Sequence, residues 1–271
     1  MNSDLSWNIQ NKRKNHALFP KFILGLIIGP SSCGKTNWVR HALIQPEEQW
    51  LDYNRLYIFG KSLHQIEYQI IKKAFELNLS KSDIHLLFKN QHEIHKPDVD
   101  VFNVMREMAA ELQVAGTTPE VEALFFDESA DVPDPSKLDK QKNNLMIFDD
   151  LMMETNQNMC ESYYTRGRHN NCDCFYLSQN YVELPKRSIR DNCNFIILFP
   201  QDDVNLRTIW SACASRHMDL KEFTKFCNDV WDKDYNFVTI DKTRHASDGR
   251  YRTGIKDFYI PMKFQLKEIQ L

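Results

Sequence analysis

Short, nearly continuous apolar runs alternate along the chain with segments in which apolar residues recur every three or four positions. The apolar runs predict buried strands over Lys21–Ile28, Arg55–Phe59, Asn144–Phe148, Cys174–Leu177 and Phe195–Phe199. The periodic segments predict helices over Asn37–Ile44 and His64–Leu77. Strands that alternate with helices indicate an α/β fold with a mostly parallel central sheet flanked by helices.

Weaker hydrophobic patterns occur in other parts of the chain. They predict a strand near His85–Phe88, a helix near Val101–Val114 and an exposed loop over Ala130–Lys142. Phe258–Ile260 and Met262–Leu266 are expected to form an edge hairpin or an extended strand.

With 271 residues, of which 42% are hydrophobic, the chain suits one large domain better than two small ones. We divide it into a polar N-terminal arm (residues 1–20), a core (residues 21–210) and a C-terminal extension of the same domain (residues 211–271).

The net charge of −3 excludes a uniformly basic protein, so any contact with nucleic acid must come from local clusters. The basic segments Lys12–Lys14 and Arg244–Arg252 are interpreted as solvated surface, with contact to a nucleic-acid backbone as the alternative. The 7 cysteines are irregularly spaced, which favours reduced thiols inside a cell. The longest apolar run, Phe22–Ile28, is too short to span a bilayer, so we predict a soluble intracellular protein with no membrane contact.

Residues Gly29–Thr36 read GPSSCGKT and match the phosphate-loop pattern G-x-x-x-x-G-K-[ST] between a predicted strand and a predicted helix. Backbone N–H groups of such a loop surround phosphate oxygens, helped by the positive end of the helix that follows. Lys35 is expected to reach the outer phosphates and Thr36 to place its hydroxyl on Mg²⁺. We therefore expect ATP to be bound by Gly29, Pro30, Ser31, Ser32, Cys33, Gly34, Lys35, Thr36 and Asn37.

A magnesium nucleotide site also needs an acidic residue at the end of a buried strand, and two pairs qualify. We favour Asp149 and Asp150, because a strand ending in Ser178–Asn180 follows them after a helix-length spacer. Asp149 would then support Mg²⁺, and Asp150 would act as the general base for the attacking water. The alternative pair is Asp127–Glu128, whose other interpretation is an exposed acidic turn or a helix cap.

The segment Tyr164–Asn171 (YTRGRHNN) carries two arginines on either side of a glycine. A guanidinium presented there can stabilise charge on a transferring phosphoryl group, and if a neighbouring subunit supplies it, it acts as an arginine finger. Arg168 is the first candidate and Arg166 the second. A surface ion pair or a contact to DNA phosphates is the competing interpretation.

Polar residues at the end of the Cys174–Leu177 strand are candidates for a γ-phosphate sensor. Gln179 or Asn180 can hydrogen-bond both the γ-phosphate and water, and burial without such a partner is costly. The competing interpretation is a helix cap or turn residue.

Taken together, GPSSCGKT, LMIFDDLM, YTRGRHNNC, YLSQNYVELPK and IRDNCNFIILF, in this order and spacing, resemble the genome-packaging ATPases of the FtsK-HerA superfamily. The likeness is strongest to those of large DNA viruses, virophages and Maverick or Polinton elements, and it spans about residues 22–210. It implies a P-loop NTPase fold of the RecA/ASCE type and a pentameric or hexameric ring that hydrolyses ATP to drive double-stranded DNA into a preformed capsid.

The resemblance also implies roles for individual residues. Lys35 and Thr36 would bind nucleotide and Mg²⁺, and Asp149 and Asp150 would be the carboxylate pair. Arg168 or Arg166 would be the finger and Gln179 the sensor. Asp150 stands where the superfamily frequently has Glu, and its side chain has a shorter reach.

The implied partners are double-stranded DNA, further copies of the chain and a capsid vertex protein, in the cytoplasm, viral factory or nucleus of an infected cell or in the virion. Two other functions would use the same site. One is a related FtsK-HerA DNA pump or helicase that is not tied to a capsid. The other is a non-hydrolysing, nucleotide-dependent DNA-binding clamp in which Asp150 is not competent as a base. Residues 211–271 match no motif, and a role in capsid docking or oligomerisation is the hypothesis for them.

Overall fold

The computed structural model of the chain describes residues 14–45, 49–89, 101–114, 121–151 and 157–265. The strands in these ranges are β1 Leu24–Ile28, β2 Arg55–Gly60, β3 Glu122–Phe126, β4 Asn144–Asp149, β5 Cys172–Ser178, β6 Phe195–Leu198, β7 Val238–Asp241, β8 Tyr251–Thr253 and β9 Asp257–Tyr259. The helices are α1 Lys35–Ile44, α2 Ile66–Glu76, α3 Lys81–Lys89, α4 Val101–Val114, α5 Asn158–Arg166, α6 Asp203–Cys213, α7 Leu220–Trp231 and α8 Met262–Gln265. Most of the predicted N-terminal arm, residues 1–13, lies outside the described residues.

The strands form one sheet in the order β3-β2-β4-β5-β1-β6-β7-β8-β9. Neighbouring strands from β3 to β6 are parallel, whereas β7, β8 and β9 continue the sheet in antiparallel fashion. Ile28 pairs with Ser178 and Asp149 with Leu177, so β1, β4 and β5 finish level with one another. We call this end of the sheet the carboxyl end and the opposite one the amino end.

Helices cover both faces of the sheet, which explains why its strands are almost continuously apolar. Leu24, Leu26 and Ile28 belong to a core beneath α5, α6 and α7. Ile23 and Ile27 belong to a second core beneath α1, α2 and α3. The fold class predicted from the alternation of strands and helices is therefore confirmed.

Gly25 interrupts the apolar run of β1 because a neighbouring ring occupies the space of its side chain. A Cβ atom at this position would lie 2.3 Å from the Phe175 ring of β5. That ring also contacts Trp38 of α1, with centroids 5.5 Å apart. Glycine thus lets an aromatic side chain lie across β1 and join the sheet to the helix that follows the phosphate loop.

The strand predicted over His85–Phe88 is wrong, because these residues lie in α3. The Asp83 side chain accepts hydrogen bonds from the backbone and hydroxyl of Ser80, and the Asp83 N–H donates to the Ser80 hydroxyl. This reciprocal cap starts a helix. Ile84, Leu87 and Phe88 then bury one side of it at helical spacing.

The C-terminal prediction is partly right. Phe258 lies in the edge strand β9, but this strand pairs with β8, which precedes it, and not with the segment that follows it. Met262–Gln265, by contrast, form a helical turn rather than an extended segment. The Phe264 and Gln265 N–H groups donate to the Pro261 carbonyl, and this turn follows a proline, which has no N–H to add to a further strand.

The interpretation of Arg244–Arg252 as solvated surface is wrong for its most enclosed member. Arg252 is fully buried, and its guanidinium donates to the buried carboxylate of Asp241 at 2.9 Å. Arg244 forms a second ion pair with Asp241 at 3.3 Å. These cations neutralise a carboxylate inside the β7–β8 hairpin, because a buried charge without a partner destabilises a fold strongly.

Candidate nucleotide site

The phosphate loop leaves β1 at the carboxyl end of the sheet and leads directly into α1. Gly34 has a φ of 108°, in the left-handed region that glycine adopts without strain. A Cβ at Gly29 would lie 2.5 Å from the Cys33 sulfur and 2.6 Å from Phe199 Cβ. Within the described residues no side chain caps the start of α1, so this helix end presents backbone N–H groups and the positive end of its dipole to a bound anion.

Lys35 lies folded over the phosphate loop. Its ammonium donates to the carbonyl oxygens of Gly29 at 2.7 Å and of Pro30 at 2.8 Å. These bonds hold the cation at the mouth of the loop, where a phosphate can replace the carbonyls as its partner.

A cleft of about 560 Å³ opens beside the loop. Ser31, Ser32, Gly34, Lys35, Thr36 and Asn37 of the predicted nucleotide-binding segment line it. So do Asp149, Asp150 and Gln179, which the parallel register of β1, β4 and β5 brings to the same end of the sheet. Gly29, Pro30 and Cys33 contribute to the loop but do not line this cleft.

Asp149, the last residue of β4, is a buried carboxylate that is 5% exposed. The Tyr68 hydroxyl of α2 donates a hydrogen bond to it and also bonds the Thr36 side chain. Burial raises the pKa of Asp149, and the charge of Asp150 raises it further, while the Tyr68 hydrogen bond and Lys35 lower it. The result is a pKa above the ordinary value of an aspartate, in an environment that favours a nearby cation.

The donor set beside Tyr68 fits Mg²⁺. Thr36 and Asp149 offer a hydroxyl and a carboxylate, the hard oxygen ligands that this ion prefers. In the described ranges, no group of three His, Cys, Asp or Glu side chains could hold a metal ion by itself. Mg²⁺ commonly keeps several waters and binds through one or two protein groups and the phosphates of a substrate, so two protein oxygens suffice.

Asp150 follows β4 with a φ of 54°, an unusual conformation for a residue other than glycine. The Gln179 amide donates to its carboxylate at 3.4 Å. Strained backbone of this kind clusters at functional sites, and here it places the carboxylate in the cleft beside Gln179.

The structure separates the two candidates for the sensor. Gln179 lines the cleft and is exposed to it rather than buried in the sheet. Asn180 instead closes a turn: its amide donates to Glu183 at 2.9 Å and its oxygen accepts from the Val182 N–H at 3.0 Å. Only Gln179 of the two is therefore positioned to meet a ligand in the cleft.

The alternative carboxylates, Asp127 and Glu128, are exposed and do not line the cleft. They follow β3, which the strands β2, β4 and β5 separate from β1. Lys61 donates to the Asp127 carbonyl and forms an ion pair with Glu128 at 3.8 Å. Their position matches the competing interpretation as an exposed acidic turn.

Arg166 and Arg168 lie outside the cleft of their own chain. Arg166 ends α5 and forms an ion pair with Asp134 at 3.0 Å, whereas Arg168 is exposed in the 3₁₀ turn Gly167–Asn170. Both precede β5 and so lie at the amino end of the sheet. Since each strand residue rises by about 3.3 Å, the length of β5 alone separates them from Gln179 by about 20 Å.

The sequence does not reveal Tyr68, Arg40 and Tyr235 as site residues, although the first bonds Asp149 and the other two line the cleft. Tyr68 and Arg40 occupy ordinary helix positions with no motif around them. Tyr235 carries a structural signal, a φ of 61° in an exposed turn, but sequence patterns do not show it.

In the described ranges, no helix combines the length and apolar character that crossing a membrane requires.

No protein-family model matches the sequence, and no curated protein does. Solved structures match. The genome packaging NTPase B204 from Sulfolobus turreted icosahedral virus 2 in complex with ATP-gammaS aligns over 88% of this chain and 98% of its own, with 11% identity and a TM-score of 0.50. The same NTPase in complex with sulfate aligns over the same shares, with 10% identity and a TM-score of 0.50. VirB4 of Thermoanaerobacter pseudethanolicus aligns over 89% of this chain and 90% of its own, with 13% identity and a TM-score of 0.44.

At this level of identity, similarity to B204 establishes the fold. The chain is an α/β protein with the P-loop NTPase fold, as its strand pattern and phosphate loop predict. The resemblance to genome-packaging ATPases noted in the sequence is confirmed in that a packaging NTPase is a structural neighbour.

Proposed function

We propose that this chain is an ATPase that drives double-stranded DNA into a preformed viral capsid. The observation that carries the proposal is the convergence of Lys35, Thr36, Asp149, Asp150 and Gln179 in one cleft at the carboxyl end of the sheet. The packaging role, the narrower part of the proposal, is supported by motifs that resemble packaging ATPases and by a fold shared with a packaging NTPase.

In the proposed reaction, the phosphates of ATP contact the N–H groups at the start of α1, and Lys35 exchanges the Gly29 and Pro30 carbonyls for phosphate oxygens. Mg²⁺, held by Thr36 and Asp149, would neutralise phosphate charge. Gln179 and Asp150 orient a water toward the γ-phosphorus, and Asp150 accepts its proton. The new P–O bond forms as the bond to the bridging oxygen breaks, and ADP leaves with that electron pair.

The same proposal includes an arginine finger and a ring. Arg168 or Arg166 would act on the nucleotide of another copy, because neither lines its own cleft. The partners are then double-stranded DNA, further copies of this chain and a capsid vertex protein, within an infected cell or virion.

One observation favours a second candidate, the non-hydrolysing DNA-binding clamp. Asp150 has a shorter side chain than the glutamate frequent in the superfamily, and its carboxylate already accepts a hydrogen bond from Gln179. A base held short of the attacking water would leave ATP bound and intact. Retention of unhydrolysed ATP for hours with Mg²⁺ would favour this candidate over the motor.

The test is steady-state ATP hydrolysis with and without double-stranded DNA. DNA is expected to raise the wild-type rate, and Lys35→Ala or Asp150→Asn to lower it at least about 100-fold, since each removes charge stabilisation or proton transfer at the phosphoryl group. Asp127→Asn is the matched control, because it neutralises an exposed aspartate outside the cleft. It should keep both the rate and the DNA stimulation.

A DNA-independent rate that still falls in Lys35→Ala would keep the ATPase and exclude a DNA motor. A capsid-free DNA pump would pass the same test, so the packaging role also requires binding to capsid vertex protein.

A further inference from the structure

A second cavity, of about 320 Å³, continues from the nucleotide cleft along α1. The two share Gly34, Asn37, Arg40 and Tyr235. We call the second one the aromatic pocket, because Trp38, Trp50, Phe199, Tyr235 and Phe237 line it. Its rings pack on one another, with centroids 5.5 Å apart for Phe199 and Phe237.

Two buried polar atoms belong to residues that line this pocket. The indole Nε1 atoms of Trp38 and Trp50 are buried and have no hydrogen-bond partner in the described part of the chain. The two residues are only 6% and 8% exposed. Because solvent does not reach these atoms, a ligand in the pocket would contact the aromatic rings rather than the N–H groups.

Tyr235 forms the solvent-facing wall of the pocket, since 73% of it is exposed. It belongs to the turn between α7 and β7. Its φ is 61°, a backbone conformation that residues other than glycine and asparagine rarely adopt. Its ring borders the phosphate loop: its Cδ1 atom lies 3.6 Å from where a Cβ of Gly34 would be. A strained backbone thus holds an exposed aromatic ring beside the loop without packing to explain it.

We propose that the aromatic pocket binds the purine base of the nucleotide, with the exposed Tyr235 ring stacking on the base. This inference rests on the proposed nucleotide site, which supplies the phosphate end of the same ligand. A purine presents a broad π-face, which matches the exposed Tyr235 ring and the other aromatic rings of the pocket. A pyrimidine offers a smaller face, and phosphate alone offers none.

The test compares Mg²⁺ complexes of ADP, CDP and pyrophosphate by calorimetry, since these probes share a diphosphate and are not hydrolysed at the γ-position. Wild type is expected to bind ADP more tightly than CDP, and both more tightly than pyrophosphate. Tyr235→Ala should weaken ADP binding about tenfold, within the range measured for base–aromatic stacking. It should change pyrophosphate binding less than about twofold, because the phosphate loop is untouched.

Two further variants of Tyr235 separate the effect of its aromatic ring from that of its hydroxyl group. Tyr235→Phe keeps the π-face and should bind ADP like wild type, whereas Tyr235→Leu keeps an apolar side chain but loses the π-face and should weaken ADP binding selectively. Met262→Ala, which removes an exposed side chain outside both cavities, is the control for surface truncation. Unchanged pyrophosphate affinity in each variant also shows that it has folded.

The pocket assignment is overturned if Tyr235→Ala leaves ADP binding unchanged, or weakens ADP and pyrophosphate equally. Wild type that binds ADP and pyrophosphate with equal affinity would also overturn it, while leaving the phosphate site and the proposed ATPase intact. If wild type bound none of the three probes, the proposed function would fall together with the pocket.

Discussion

Asp149 is a carboxylate that the fold has removed from water, and among the described residues its side-chain donor is the Tyr68 hydroxyl. The nearby Lys35 directs its ammonium to loop carbonyls instead. An ionised group with so little compensation opposes folding, which is why burial raises its pKa. The arrangement favours cation binding at the expense of the stability of the empty site, a common trade-off at functional sites.

Asp149→Asn is therefore expected to stabilise the metal-free protein at pH 7. Because the pKa of Asp149 is higher in the folded than in the unfolded chain, its ionisation destabilises the fold as pH rises from the ordinary aspartate value of about 3.9 through the raised one. The gain should be present at pH 7 and disappear below about pH 4, where the carboxyl is protonated in both states.

Urea unfolding in EDTA at the two pH values measures this gain as a shift of the midpoint. Asp127→Asn is the control, because Asp127 is exposed and its replacement should leave the midpoint unchanged. A lower midpoint for Asp149→Asn at pH 7 would contradict the prediction. Hydrolysis with Mg²⁺ should be lost in the same variant if Asp149 supports the metal.

For single residues, the sequence predicts those that belong to a local motif and misses those that reach the site from a distant part of the chain. Asp149 and Asp150 stand out because they end an apolar strand, and the structure brings both to the cleft. Tyr68 lies 81 residues before Asp149, and nothing in its own helix distinguishes it from a core aromatic. Its contact exists only once α2 packs on the sheet.

Among the elements, the first turn of α6 holds the segment that follows β5. The Asn205 side-chain oxygen accepts from the N–H groups of Tyr181 at 3.0 Å and Val182 at 3.1 Å. Asp202 caps the same turn by accepting from the Asn205 N–H at 2.8 Å. The helix end thereby fixes the chain immediately after Gln179, the candidate sensor.

Asn205→Ala should both destabilise the fold and slow hydrolysis. Removing the acceptor leaves the buried Tyr181 N–H without a partner, at a cost of about 2 kcal/mol in the free energy of unfolding, whereas the Val182 N–H keeps its bond to the Asn180 side chain. The segment bearing Gln179 also loses its anchor, so kcat for ATP should fall more than the affinity for ADP. Urea unfolding and steady-state kinetics measure the two effects.

Val204→Ala is the matched control for this prediction, because Val204 lies in the same turn and is 68% exposed. It should change the free energy of unfolding by less than about 0.5 kcal/mol. Equal stability and equal kcat in Asn205→Ala and wild type would show that the Asn205 bonds do not position the segment.

Element predictions succeed where both the apolar pattern and its length are distinctive. β2 and β4 bury nearly every residue, and such runs are unambiguous in an α/β protein. The four residues His85–Phe88 form a short apolar run, which periodicity cannot assign to strand or helix. The deciding interaction there is the Ser80–Asp83 cap, upstream of the run itself.

At the scale of the whole molecule, the sequence does not predict the order of the strands in the sheet, and this order creates the cleft. Placing β5 between β1 and β4 sets Gln179 beside both the phosphate loop and the carboxylates. The C-terminal extension adds β7–β9 to the same sheet through β6. Its buried Arg252–Asp241 pair looks like surface charge in the sequence, because only the hairpin brings the two together.

The proposed catalytic groups lie at two opposite ends of the sheet. The nucleotide cleft lies at the carboxyl end, and Arg166 and Arg168 lie at the amino end. A side chain cannot bridge the intervening length of β5, so an arginine finger from this segment must reach the cleft of another copy. A head-to-tail contact of this kind generates a ring when its rotation closes. Arg168 is the better candidate because Arg166 is already paired with Asp134.

Mixing two inactive variants tests this geometry. Arg168→Ala keeps its cleft but lacks the finger, and Asp150→Asn keeps the finger but lacks the base. In a random equal mixture assembled on DNA, roughly a quarter of the head-to-tail interfaces combine an intact cleft with an intact finger. Hydrolysis should therefore recover to a substantial fraction of the wild-type rate, measured at constant total protein.

The matched control is a mixture of Lys35→Ala and Asp150→Asn. Both lesions lie in the same cleft, so no pairing of these subunits creates an intact site, and the rate should stay at the level of the separate variants. Recovery in the Arg168→Ala mixture alone would require that Arg168 act between copies. Equal failure of both mixtures would exclude Arg168 as the finger, and the same experiment with Arg166→Ala would then decide whether the segment before β5 supplies one at all.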